Sequence, residues 1–241
     1  MIVSGYVIYD GPSMIDGERI VAIVTGLTGS RNTKTGKMVQ TYIIRPDMSP
    51  LEAVRKGKDV SICGSCIHRG DGTGEGRSCY VTLIHGPRVV YDALSRGVYP
   101  SATPADVAEI VAGRMVRLGT YGDPAAVPLA VWQALVSKAA GHTGYTHRFR
   151  DIGPAWSRLV MASADTPKDA DDAHALGYRT FRVGSEPVGR EVLCPASEQA
   201  GKKTTCMDCR ACMGTAGKAR ASIYIPAHGT GAAHFNQKMA A

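Results

Sequence analysis

The sequence predicts an α/β protein: a partial (β/α) barrel-like parallel sheet preceded by a β-rich N-terminal section. Three observations carry that expectation. Residues 3–9, 20–25 and 39–44 are alternating or β-branched runs bounded by Gly, Pro and polar residues, which is the signature of strands. From residue 101 onward short apolar runs alternate with N-capped helical stretches, the rhythm of right-handed βαβ units around a parallel sheet. The seven cysteines fall into two groups, one in each section. The chain therefore divides into 1–100 and 101–241, expected to pack as one compact unit.

In order, the loop between the second and third strands reads TGSRNTKTGK over 28–37 and carries Arg31, Lys34 and Lys37. It reads as a solvated hairpin loop or as a basic finger for phosphate. Pro50, Leu51 and Glu52 open a short helix, with Ser49 as N-cap and Glu52 at the third position, a capping-box pattern. SATPADVAEIVAG gives a helix capped by Thr103, with Pro104 first and Val107, Ile110 and Val111 at helical spacing. MVRLG (115–119) is a strand leading into TYGDP. Residues 128–140 form a helix with Leu129, Trp132, Leu135 and Val136 on one face. GYTH (144–147) and LVMAS (159–163) are strands. Residues 167–176 make a polar helix with an acidic first turn, stopped by Gly177. YRTFRV (178–183), EVL (191–193) and SIYI (222–225) complete the strands. About five or six parallel strands of this kind suggest an open or incomplete barrel.

Hydrophobic residues make up 44% and charged residues 20% of the 241, which excludes a disordered chain and leaves ample length for a core. No run approaches about 18 apolar residues, so no membrane span is expected. The start lacks a basic stretch followed by a long apolar one, so no signal peptide is expected and a cytoplasmic setting is. The formal charge of +7 suits a polyanion such as DNA or RNA, although the charge is spread along the chain. Neither GTGEG nor GTGAAHF has the spacing of a nucleotide-binding loop, and no G-x-S-x-G elbow is present. Asp169, Asp171 and Asp172 read as a solvated helix start.

The chemistry concentrates in the cysteines. Cys194, Cys206, Cys209 and Cys212 lie within 19 residues, the last three at C-x2-C-x2-C. Two intervening residues let the chain turn so that neighbouring sulfurs face one small volume. Such a run delivers three thiolates to an iron–sulfur cluster, and Cys194 supplies the fourth, giving a [4Fe-4S] site. Tetrahedral zinc accepts the same sulfurs, so both metals stay open. Buried free thiols fit poorly beside Lys202 and Lys203, and an odd cysteine count argues against disulfides. The first group is Cys63, Cys66, His68 and Cys79, joined by the flexible insert DGTGEG. Three thiolates and one imidazole close a zinc site. The same cysteines can hold a cluster with one iron open, and His68 can stand behind the ligands instead of among them. Two separate sites are the first expectation, and one pooled site the alternative.

In a parallel sheet, ligands gather at the carboxyl ends of the strands. That rule assembles Asp123, Tyr145, His147, Ser163, Asp165, Cys194 and His228 on one rim. Asp123, Tyr145, His147, Ser163 and Asp165 become the candidate catalytic residues. Each has a plainer reading: Asp123 can cap the turn that follows, His147 can be a surface histidine, and Asp165 can be a turn residue before Thr166 and Pro167.

The segments YDGPSMIDG, ICGSCIHRG, RSCY, RLGTYGDPAAVP, GYTHRFR and CPASEQAGKKTTCMDCRACMG together resemble a family of cysteine-rich phage and prophage proteins, known as numbered gene products of mycobacterial phages. The resemblance spans nearly the whole chain and implies a phage setting and the cysteine pattern, but no activity. More faintly, RLGTYGDP and GYTH resemble strands of radical S-adenosylmethionine barrels. The chain departs from that superfamily by lacking C-x3-C-x2-C, so S-adenosylmethionine is implied only if the Cys63 group makes an open cluster. Three functions follow: an iron–sulfur protein that binds or acts on nucleic acid, an iron–sulfur enzyme working on a small molecule or nucleotide, or an interaction protein stapled by metal.

Overall fold

The computed structural model describes residues 3–29, 33–70, 72, 76–201, 203–229 and 231–240. Arg31, Lys202 and most of the DGTGEG insert lie outside them. The strands are β1 (Gly5–Pro12), β2 (Arg19–Thr25), β3 (Val39–Ile44), β4 (Met115–Tyr121), β5 (Gly141–Thr143), β6 (Tyr145–Thr146), β7 (Met161–Ala164), β8 (Thr180–Val183), β9 (Val192–Leu193) and β10 (Ile223–Ile225). The helices are α1 (Pro50–Arg55), α2 (Val60–Cys63), α3 (Gly86–Ser95), α4 (Pro104–Ile110), α5 (Leu129–Val136), α6 (Pro167–Ala175), α7 (Cys206–Cys209) and α8 (Ala232–Ala240). None among the described residues is long and apolar enough to cross a membrane.

The fold is α/β, with two five-stranded sheets. The first runs β1-β2-β3-β4-β5, antiparallel up to β3 and parallel from there. It draws strands from both sides of residue 100. The second, β6-β7-β8-β10-β9, is wholly parallel. The two meet at Gly144. Residues 141–143 pair with β4, and residues 145–146, one residue on, pair with β7. The Gly144 carbonyl accepts from Met161 N–H at 2.9 Å. A Cβ at this position would lie 2.9 Å from Val160 and 3.1 Å from Leu118, so only glycine lets the strand change partners here. The GYTH strand is thus shorter than expected and belongs to a longer, divided strand.

The helix caps follow the sequence. Ser49, Thr103 and Thr166 accept from the backbone N–H three residues on, and Thr166 with Asp169 completes a capping box. Helix α5 ends at Val136, four residues before the expected end, because the chain turns back: Gly113 N–H donates to Lys138 and Ala140 N–H to Arg114. Trp132 and Leu135 are fully buried, as the apolar face requires. The main core runs from Val7 to Tyr178, and a second, small one consists of Met161, Cys194, Ala196, Ile223 and Ile225.

Candidate metal and active-site cavity

Every strand of the parallel run from β4 to β8, together with β10, turns side chains toward one cavity of about 340 Å³. All seven cysteines line it. So do Asp123, Tyr145, His147, Ser163 and His228 of the expected rim. Asp165 of the same rim is not among the lining residues and lies 3.5 Å from His147 Nε2.

The cysteines remain two groups. Burial above all, and then Cys66, Asp59 and Cys79, push the Cys63 thiol well above its ordinary value. Burial likewise raises Cys79, Cys194 and Cys206. Cys212 is pushed up to about 12 by burial first; the Tyr145 hydrogen bond works the other way, and Cys194, Cys206 and Cys209 add to the rise. The sulfurs that bear on Cys63, Cys79, Cys194, Cys206 and Cys212 come in each case from the thiol's own group.

The C-terminal group is positioned by a lobe with little regular structure. Arg179 at the start of β8 donates to the carbonyls of Ala211 and Gly214 at 2.8 Å each, and to Ala221. The turn between Cys209 and Cys212 needs Arg210 in the left-handed region, at φ 55. Residues 34–36 of the loop expected to be solvated, or to be a basic finger, pack on this lobe. The Lys34 carbonyl accepts from Cys206 N–H at 2.9 Å, Gly36 approaches Met207 and Thr205, and Thr35 is buried. Backbone donors that open the short helix α7 need acceptors, and this loop supplies one.

The hydrogen-bond partners of His68 are Ser78 and Asp165. Its Nδ1 lies 2.7 Å from the Ser78 hydroxyl and its Nε2 lies 2.8 Å from Asp165 Oδ1, so both nitrogens are engaged. The imidazole beside the Cys66 thiol is that of His147. Burial opposes charge on His147, yet Cys66 and Asp165 outweigh it and hold its pKa well above the ordinary value. Burial also opposes charge on Asp165, but the neighbouring imidazoles of His147 and His68 hold its carboxyl well below the usual range. Among the described residues, His68, His147 and Asp165 are the group whose ligand atoms all lie within 4.8 Å of one another.

Asp123 is both cap and brace. Its Oδ1 accepts from Ala125 N–H at 2.9 Å, and its Oδ2 accepts from the Thr146 hydroxyl at 3.0 Å and His147 N–H at 2.9 Å. With both oxygens committed, it fixes the end of β6 and so aims His147; a proton-transfer role is not what its contacts support. Ser163 lines the cavity wall.

Sequence reasoning missed Arg117 and Arg179. Arg117 projects into the cavity from β4, donates to the Tyr80 hydroxyl at 2.9 Å and leaves its Nε buried without a partner. The signal was a guanidinium at the inward register of MVRLGTY, in step with Gly119 and Tyr121, which also line the cavity.

Comparison with family models, with curated proteins and with solved structures finds no match to this chain.

Proposed function

We propose that this chain is an iron–sulfur enzyme, of phage type and working in the host cytoplasm, that acts on a nucleobase-bearing substrate held in the cavity. A [4Fe-4S] cluster would be carried by Cys194, Cys206, Cys209 and Cys212. The single observation that carries the reading is that all seven thiols share one cavity wall with Arg117, Tyr145 and His147. Tetrahedral zinc requires sulfurs about 3.8 Å apart, from Zn–S of about 2.3 Å. No trio of cysteines appears among the groups gathered within 4.8 Å, whereas a cubane spreads its thiolates over separate irons. When bound, such a cluster supplies electron transfer or a Lewis-acidic iron.

The substrate class follows from the lining. Tyr80, Tyr121, Tyr145 and Phe181 offer flat apolar faces, and Arg117 offers a guanidinium with an unpaired Nε. A flat ring carrying an anionic group suits both. A nucleotide has that chemistry, and so does a base extruded from a strand. Tyr145 and His147 are the proton carriers within reach, and Asp123 holds His147 in place.

Anaerobic isolation and reconstitution test the cluster: about four irons and four sulfides per chain are expected, with a broad band near roughly 400 nm. A colourless chain that binds zinc in their place sinks it. Equilibrium binding of free nucleotides and of single-stranded DNA then separates the two substrate sources. A second reading, that the cluster only staples the fold, draws on the lobe holding Cys206–Cys209 as its one short helix. It predicts cluster-dependent folding with no ligand binding in the cavity.

A further inference from the structure

The site formed by His68, His147 and Asp165 lies beside the thiols yet uses none of them. Its Nε2 and Oδ1 atoms converge: His68 to Asp165 is 2.8 Å and His147 to Asp165 is 3.5 Å. The two imidazoles are 5.6 Å apart between centroids and tilted by 60°. The side chains of His68 and Asp165 are 8% and 10% exposed. His147 Nε2 is buried and has no hydrogen-bond partner. Buried polar atoms are nearly always satisfied, so one that is not asks what completes it. Both histidines point at the same carboxylate oxygen, and at 3.5 Å the second approaches it as an ion pair too long for a well-formed hydrogen bond.

We propose that His68, His147 and Asp165 bind one divalent transition-metal ion, separate from either cysteine group. An ion between the three atoms gives His147 Nε2 its missing partner. Two imidazoles and one carboxylate are the donor set of mononuclear non-haem sites, which keep positions open for water or substrate. The supporting shell is in place. The Ser78 hydroxyl, 2.7 Å from His68 Nδ1, orients the ring and can accept a hydrogen bond from Nδ1–H once Nε2 is ligated. Phe235 stacks on the same ring at 5.0 Å, and Asp123 fixes the backbone of His147. His147 lines the cavity, so the open positions face the space where substrate would sit. An ion there would polarise an oxygen of substrate or bound water. The inference does not depend on an iron–sulfur cluster being present.

Manganese(II) is the probe, because it prefers nitrogen and oxygen donors to thiolates. Titration of the full chain, read by electron paramagnetic resonance, should show one tightly held ion per chain. The melting temperature should rise with manganese concentration. Asp165→Asn and His147→Gln should each weaken binding at least tenfold. Ser78→Ala keeps all three ligands and should weaken it by about tenfold or more. Absence of bound manganese, or wild-type affinity in Asp165→Asn, overturns the proposal. Loss of binding in Cys66→Ser, the thiol beside His147, also overturns it, since the ion would then sit among the thiols. If Asp165→Asn does not fold, His147→Gln and Ser78→Ala decide: unchanged affinity in both overturns the proposal, and weakened affinity supports it.

Discussion

Cys63 closes helix α2 and packs against the main core that holds Ile23, Ile62 and Trp132. Cys194, Cys206 and Cys212 belong instead to a patch whose fully buried members are Met161, Cys194, Ala196, Ile223 and Ile225. The first group stands on a scaffold that apolar burial can hold alone. The second rests on a much smaller apolar patch, which offsets less of the entropy of ordering it. One cavity is therefore walled by a part resting on the main core and a part resting on a small one, and under the proposal above a cluster would cross-link the latter.

The largest effect tests that asymmetry. Cys206→Ser should abolish cluster loading. Coupling of metal binding to folding is on the order of 10 kcal/mol, so amide exchange across residues 194–217 should become fast while β1 to β4 stay protected. Uniform loss of protection in both halves would break the distinction. Trp132→Ala is the converse. Its side chain is fully buried, and its Nε1 donates to Pro124 at 2.8 Å. It should cost about 3–5 kcal/mol in global stability, measured by denaturant unfolding, while the folded fraction keeps its full iron content.

The same asymmetry governs what could be read from the chain. The caps at Ser49, Thr103 and Thr166 were legible because a cap is a local side-chain-to-backbone bond. Strands β2 and β3 were legible because their β-branched runs are long. Helix α3 was missed because GPRVVYDALS carries charged and apolar residues without a capping side chain: His85 makes no such bond. The partner change at Gly144 has no local signature, since it depends on Val160 and Leu118 approaching from elsewhere. The rim residues could be named from strand ends, but His68 was given the wrong neighbours. Its proximity to Cys66 in sequence counted for less than Ser78 and Asp165 reaching it across the fold.

Two further measurements sharpen the contrast. Arg179 ties three carbonyls of the cysteine lobe to β8. Arg179→Ala strands buried acceptors and should cost about 3 kcal/mol, at roughly 1–3 kcal/mol for each unsatisfied group, and the cluster should be lost faster to a chelator. The pH response has a definite sign. With Cys212 pushed up to about 12 in the folded chain and near 8.5 when unfolded, the fold keeps a proton that the unfolded state releases. A metal-free chain whose lobe stays ordered should then be fully stabilised below about pH 8.5 and lose stability as pH rises toward the folded value, whereas absence of any such slope would mean that the lobe is already open without metal. A cluster-loaded chain has no proton on that sulfur and should lack this slope; equal slopes would place Cys212 outside the ligand set.

The smallest effect concerns Arg210, the only non-glycine residue with positive φ among those described. A left-handed conformation costs an L-residue roughly 1–2 kcal/mol, and the C-x2-C-x2-C turn imposes it on Arg210, which caps α7 at φ 55 and ψ 16. Arg210→Gly removes the Cβ conflict while adding freedom to the unfolded chain. The balance should be a gain of about 0.5–1 kcal/mol in lobe stability, read as slower exchange over 194–217 with β1 to β4 unchanged. A loss there would mean that the guanidinium, whose Nε donates to the Met207 carbonyl at 3.3 Å, holds the turn more firmly than its backbone strains it. The lobe would then owe part of its order to side-chain bonds as well as to its thiolates.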